Sequence, residues 1–150
     1  MKLGVIVFFV SLILVSCLDL NNFQFNLGNL AYLVDFPSLV IVLVPTIFFA
    51  IGAYSWETYV KTWSIPFGDP ENCDQPELVE VSKCLNTMGN MTVVMGIIGT
   101  FIGTILTLNY MQLGADLAPS IGIAVVTLFY GFLFKALCIF TSSKVEKYIK

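Results

Sequence analysis

The chain has 150 residues, 57% of them apolar and 11% charged, with a net charge of −3. A soluble domain carries about a quarter charged residues, so this chain cannot clothe a water-facing surface, and its mean hydropathy of +0.88 agrees. Lysine supplies all the positive charge and histidine is missing, which excludes an arginine-rich nucleic-acid grip and the usual general base.

A spanning helix needs roughly 20 mostly apolar residues. The expected fold is therefore all-α, a single membrane domain over residues 1–150 with four spans near residues 3–18, 36–54, 91–110 and 121–140. Met1-Lys2 and the apolar run behind it resemble a secretory signal, and Leu14-Val15-Ser16-Cys17 resembles a lipoprotein cleavage box. Its basic region is one lysine, so a retained helix is the expectation. Asn21 and Asn22 close this span, and Trp56 and Glu57 follow the second. Asp116 and Pro119 separate the third from the fourth. Pro45 sits inside the second span and is expected to kink it, because it removes a backbone hydrogen bond.

Residues 56–90 form the one sizeable polar segment. They carry Glu57, Asp69, Glu71, Asp74, Glu77 and Glu80 against Lys61 and Lys83. Pro66, Pro70 and Pro76 break the first half, and residues 76–87 suit a short helix with Pro76 at its start. Leu78, Val81 and Leu85 then share one face. The segment is too small for a catalytic domain, and a solvated acidic surface is expected.

Lysines set the direction. Lys2, Lys61, Lys83, Lys144, Lys147 and Lys150 all fall on one side of a four-span arrangement, and the loops near residues 19–35 and 111–120 contain none. Both termini and the 56–90 segment are thus expected in the cytoplasm. Lys135 lies late in the fourth span, with a stem long enough to reach the cytoplasmic interface. Cys17, Cys73, Cys84 and Cys138 match no zinc spacing and read as free thiols.

The third and fourth spans are patterned. Gly96, Gly99 and Gly103, with Thr100, Thr104 and Thr107, gather on one side of the third. Ala124, Thr127, Gly131 and Cys138 form a stripe on the fourth, with Lys135 beside it. Such faces suit tight helix packing, and equally a face that surrounds a pore or another helix. No Asp or Glu lies within any span, so proton relay needs a carboxylate from another chain.

Three boxes carry a resemblance. Asp35-Phe36-Pro37-Ser38-Leu39-Val40-Ile41-Val42 resembles the start of the second span in MotA-type stator subunits. Gly96-Ile97-Ile98-Gly99-Thr100-Phe101-Ile102-Gly103 resembles the Gly-x-x-Gly-Thr-x-x-Gly signature of the MotA/TolQ/ExbB proton-channel family. Ala124 to Gly131 resembles that family's last span. Four spans match the MotA-like branch, with a shortened cytoplasmic segment that lacks the surface meeting a flagellar rotor.

The resemblance implies a pentameric ring in the bacterial inner membrane around two copies of a single-span MotB/TolR/ExbD-like partner with a membrane Asp. Proton flow would turn the ring. Thr100, Thr104, Thr127 and Tyr130 would line the ion path or face the partner, with Tyr130 either a hydroxyl neighbour or a packed aromatic. Gly96, Gly99, Gly103 and Gly131 would let helices approach. Leu128 stands where sodium-driven units have a threonine, which favours protons over sodium; no other cofactor or metal is implied. The alternative is a non-conducting structural protein of the same fold. An enzyme is not expected, since no nucleophile–base pair is visible.

Overall fold

The computed structural model describes residues 2–19, 24–25, 33–68, 70–110 and 118–149. The chain divides into two compact units, Met1–Phe36 and Pro37–Lys150. The first holds α1 (Lys2–Cys17) and two short strands, β1 (Leu18–Asp19) and β2 (Gln24–Phe25). The strands pair antiparallel, Leu18 opposite Phe25 and Asp19 opposite Gln24. That pair is the one departure from an all-helical fold among the described residues. Ile6, Val7, Val10, Leu14 and Val15 are all exposed, so α1 is apolar on more than one side. Asn21 and Asn22, expected to close the first span, lie outside the described residues, as do most of the 19–35 and 111–120 loops with Asp116.

The second unit begins within α2 (Phe36–Tyr54) and continues through α3 (Trp56–Phe67), a 3₁₀ turn (Pro70–Asn72), α4 (Gln75–Tyr110) and α5 (Ala118–Glu146). Among the described residues, three helices are long and apolar enough to cross a membrane: Phe36–Tyr54, Gln75–Asn109 and Ile121–Glu146. At 16 residues, α1 is shorter than these. Pro45 lies within α2, which continues through it. Thr46 Oγ1 donates to the Val42 carbonyl at 2.7 Å in the same turn.

Residues 56–90 are not an open loop. Helix α4 runs unbroken for 36 residues, so the short helix expected over 76–87 and the third span are one rod. Beyond Pro76 the run contains no proline, and its glycines pack against neighbours rather than ending it. Asp69 lies outside the described residues.

A one-residue corner joins α2 to α3. Ser55 has φ 113°, a conformation that favours glycine. Its Oγ offsets this by accepting from the Thr58 N–H at 3.3 Å, capping α3. At the other end the Gly68 N–H donates to the Ser64 carbonyl at 2.9 Å. Lys144 of α5 donates to the Pro66 carbonyl.

The expected apolar face of residues 76–87 becomes a core. Leu78, Val81 and Leu85 pack with Ile65 and Val145, flanked by Cys73, Tyr148 and Ile149. Next to it Ala50, Cys84, Met88 and Cys138 cluster beneath Tyr54, Tyr59 and Trp63. Leu85 is fully buried. Leu85→Ala is expected to cost about 2–5 kcal/mol and to lower the thermal midpoint of the detergent-purified protein by several degrees, read by intrinsic fluorescence. An unchanged midpoint would show that this cluster does not hold α3, α4 and α5 together.

Candidate functional site

The site is built on the seam between α4 and α5. Between membrane helices lipid removes the hydrophobic drive, so close packing and hydrogen bonds hold them. A Cβ added at Gly96 would stand 3.2 Å from the Gly131 Cα and 3.3 Å from the Thr127 carbonyl oxygen. A Cβ at Gly131 would stand 2.7 Å from the Thr92 carbonyl oxygen. Backbone thus touches backbone: Gly131 admits no side chain unless backbone shifts, and a Cβ at Gly96 would require its neighbours to give by a few tenths of an ångström.

Gly99 serves a different neighbour. A Cβ there would meet Thr127 Cγ2 at 2.6 Å and Ile41 Cγ2 at 2.8 Å. It leaves room where α2, α4 and α5 meet. Gly103 is looser, with Ala124 Cβ at 3.6 Å from its added Cβ.

The hydroxyls divide into three groups. Thr100 Oγ1 donates to the Gly96 carbonyl at 2.8 Å and across the seam to the Ala124 carbonyl at 2.9 Å. Thr104 and Thr107 donate back along α4 to the Thr100 and Gly103 carbonyls, each at 2.8 Å. Thr127 is buried and its hydroxyl lies 2.7 Å from that of Ser38, which is buried too. Tyr130 is buried and tilted against Phe129, with ring centroids 6.1 Å apart.

The structure therefore brings Gly96, Gly99, Gly131, Thr100 and Thr127 to one seam, with Gly103 at its looser end. Thr104 is half-buried on α4 and makes no bond across the seam among the described residues. Sequence reasoning missed Ser38 as the partner of Thr127. The signal was its place in the Asp-Phe-Pro-Ser box, within the first turn of α2.

Two further polar groups lie toward the other end of the seam. Glu146 Oε1 accepts from Ser82 and Ser142, each at 2.9 Å, and from Asn86 Nδ2 at 3.4 Å. Lys135 Nζ donates to Asn90 Oδ1 at 3.0 Å. Sequence reasoning missed this cluster; the i,i+4 spacings of Ser82/Asn86 and Ser142/Glu146 were the signal that could have found it.

On the α3 side lies an acidic cleft of about 390 Å³ lined by Glu57, Thr58, Lys61, Asp74, Glu77 and Glu80, among others. Lys61 bridges Glu57 at 2.7 Å and Glu77 at 2.8 Å. The hydrogen bond from Lys61, with its charge, holds the Glu57 carboxyl below its usual range. The expected solvated acidic surface is thus partly neutralised internally.

The contrast between the glycines is testable. Gly131→Ala is expected to lower the thermal midpoint of the purified protein markedly, because backbone atoms cannot give way. Gly103→Ala is expected to change it little. Equal effects at both positions would contradict the close approach at Gly96 and Gly131.

A sequence profile of the MotA/TolQ/ExbB proton channel family matches residues 72–150, which include all of α4 and α5 and more than half of the chain. No curated protein matches the chain.

Proposed function

The chain belongs to the MotA/TolQ/ExbB proton channel family, and we propose on that premise that it is the ring-forming subunit of a proton-driven rotary motor. In this reading α1 is a fourth span, both ends face the cytoplasm, and the membrane is a bacterial inner membrane. Five copies enclose a dimer of a single-span MotB/TolR/ExbD-like partner, and proton flow turns the ring. The chain has no enzymatic activity of its own.

One observation carries the reading. The α4–α5 seam offers hydroxyls at membrane depth, and residues 91–109 of α4 and 121–140 of α5 include no carboxylate. A proton relay built on this seam must import its titratable group.

The hydrogen bonding says what state that group would take. The Thr100 proton is committed to backbone carbonyls, as is that of Thr104. What each oxygen still offers is lone pairs. Such oxygens accept from a protonated, neutral carboxyl and cannot donate to an ionised one. The seam thus favours the neutral acid in transit, as expected of a carboxyl away from water. Thr127 and Tyr130 are buried, Thr127 beside Gly99 and Ser38.

The same bonds favour a second reading, in which the hydroxyls only pack helices and the protein is a non-conducting structural member of the family. Reconstituted complexes with a pH-sensitive dye inside liposomes separate the two. Thr100→Val is expected to slow proton uptake about tenfold, the worth of one lost hydrogen bond, while Thr100→Ser retains most of it. An unchanged rate in an intact Thr100→Val complex supports the structural reading.

A further inference from the structure

Lys135 is a membrane-level cation that makes no salt bridge among the described residues. Among the described residues its ammonium has one hydrogen-bond partner, Asn90 Oδ1. The salt bridges found among them belong to Lys61. Asn90 Nδ2 makes no hydrogen bond among the described residues, and Asn90 is exposed. The pair therefore presents an ammonium and an amide N–H₂, both donors, to whatever lies outside.

The height of this pair is fixed by the seam. A Cβ added at Gly89 would lie 3.7 Å from the Lys135 Cα, so Lys135 stands level with the residue before Asn90. From Asn90 to Asn109 α4 crosses a stretch, Met91–Leu108, that carries neither charged nor amide side chains. At about 1.5 Å per residue it rises roughly 28 Å, close to the thickness of a hydrocarbon core. The ammonium therefore sits at the boundary between hydrocarbon and headgroups. It is drawn sideways to Asn90 rather than onward along α5.

Its direction is fixed as well. Helices α2 and α3 cover α4 on the side of Met88 and Thr92, where Leu43, Ile47, Tyr59 and Trp63 line a shared apolar cavity of about 200 Å³. Asn90 lies about 200° around the helix from Met88, on the uncovered side. From it an exposed apolar track leads deeper into the membrane: Val94 and Ile97 on α4 at one and two turns, and Phe132 on α5 one turn from Lys135. Their exposures are 46%, 42% and 55%.

We propose that Lys135 and Asn90 form a site for the phosphate of an anionic phospholipid, whose acyl chains lie along Val94, Ile97 and Phe132. Charge, height and apolar track agree on an amphiphile with an anionic head at the interface. A soluble anion would have no use for the track. A lysine near a membrane surface contributes on the order of 1 kcal/mol of attraction to anionic lipid, so the preference should be readable.

The test is native mass spectrometry of the purified protein, or its complex with any co-purifying subunit, titrated with equal amounts of phosphatidylglycerol and phosphatidylcholine. Wild type is expected to retain phosphatidylglycerol about fivefold over phosphatidylcholine. Lys135→Gln should bring the ratio close to one, and Lys135→Arg should keep it. The arginine variant guards against misfolding, since it preserves the charge. Equal retention of both lipids by wild type, or an undiminished preference in Lys135→Gln, overturns the site. If Lys135→Gln keeps the lipid preference but releases a co-purifying subunit, the cation binds protein and the lipid assignment is wrong.

Discussion

Everything in the larger unit depends on how closely α4 and α5 approach at Gly96 and Gly131. Two membrane helices have no hydrophobic reason to associate, because lipid tails are as apolar as their own side chains. Removing both Cβ atoms lets the backbones touch, with the Thr92 carbonyl oxygen within 2.7 Å of where the Gly131 Cβ would be. That approach lets Thr100 reach across to the Ala124 carbonyl. It also sets Thr127 against Gly99 and within reach of Ser38. A bulkier seam would break the Thr100–Ala124 and Ser38–Thr127 bonds and leave Thr100 only its bond to Gly96 within α4.

From that contact the helices extend as long levers. Beyond the seam α4 and α5 continue to a packed layer, where Leu78, Leu85 and Val145 share a core with Ile65 of α3. Serine, asparagine and Glu146 tie the ends together. The membrane seam and this layer are thus parts of the same two rods, so a rotation of one is transmitted to the other. In the proposed ring, the continuity of α4 through Gly89 and Asn90 would couple the membrane seam to this layer.

The helices and the polar faces were legible in the sequence because helical geometry alone puts Gly96, Gly99, Thr100 and Gly103 on one side. The burial of Leu78, Val81 and Leu85 was legible for the same reason. What was not legible is which neighbour covers a face. Thr127 reads as a polar residue on a seam, but only the fold shows α2 arriving over it with Ser38. The continuity of α4 was hidden by the mixed polar and glycine composition around residues 86–90, which reads as a boundary while the tertiary contacts at Gly89 keep it helical. The strand pair at 18–19 and 24–25 carries too few residues to leave a periodic signal.

The central claim is that the Gly96–Thr100 part of this seam works with a carboxyl that neither helix supplies at that depth. The most direct measurement is the stoichiometry of the complex purified in mild detergent with the subunit that accompanies it, by native mass spectrometry. The account predicts five copies of this chain and two of a single-span partner bearing a membrane Asp or Glu. A monomer, or a ring that conducts protons with no such subunit present, would contradict it.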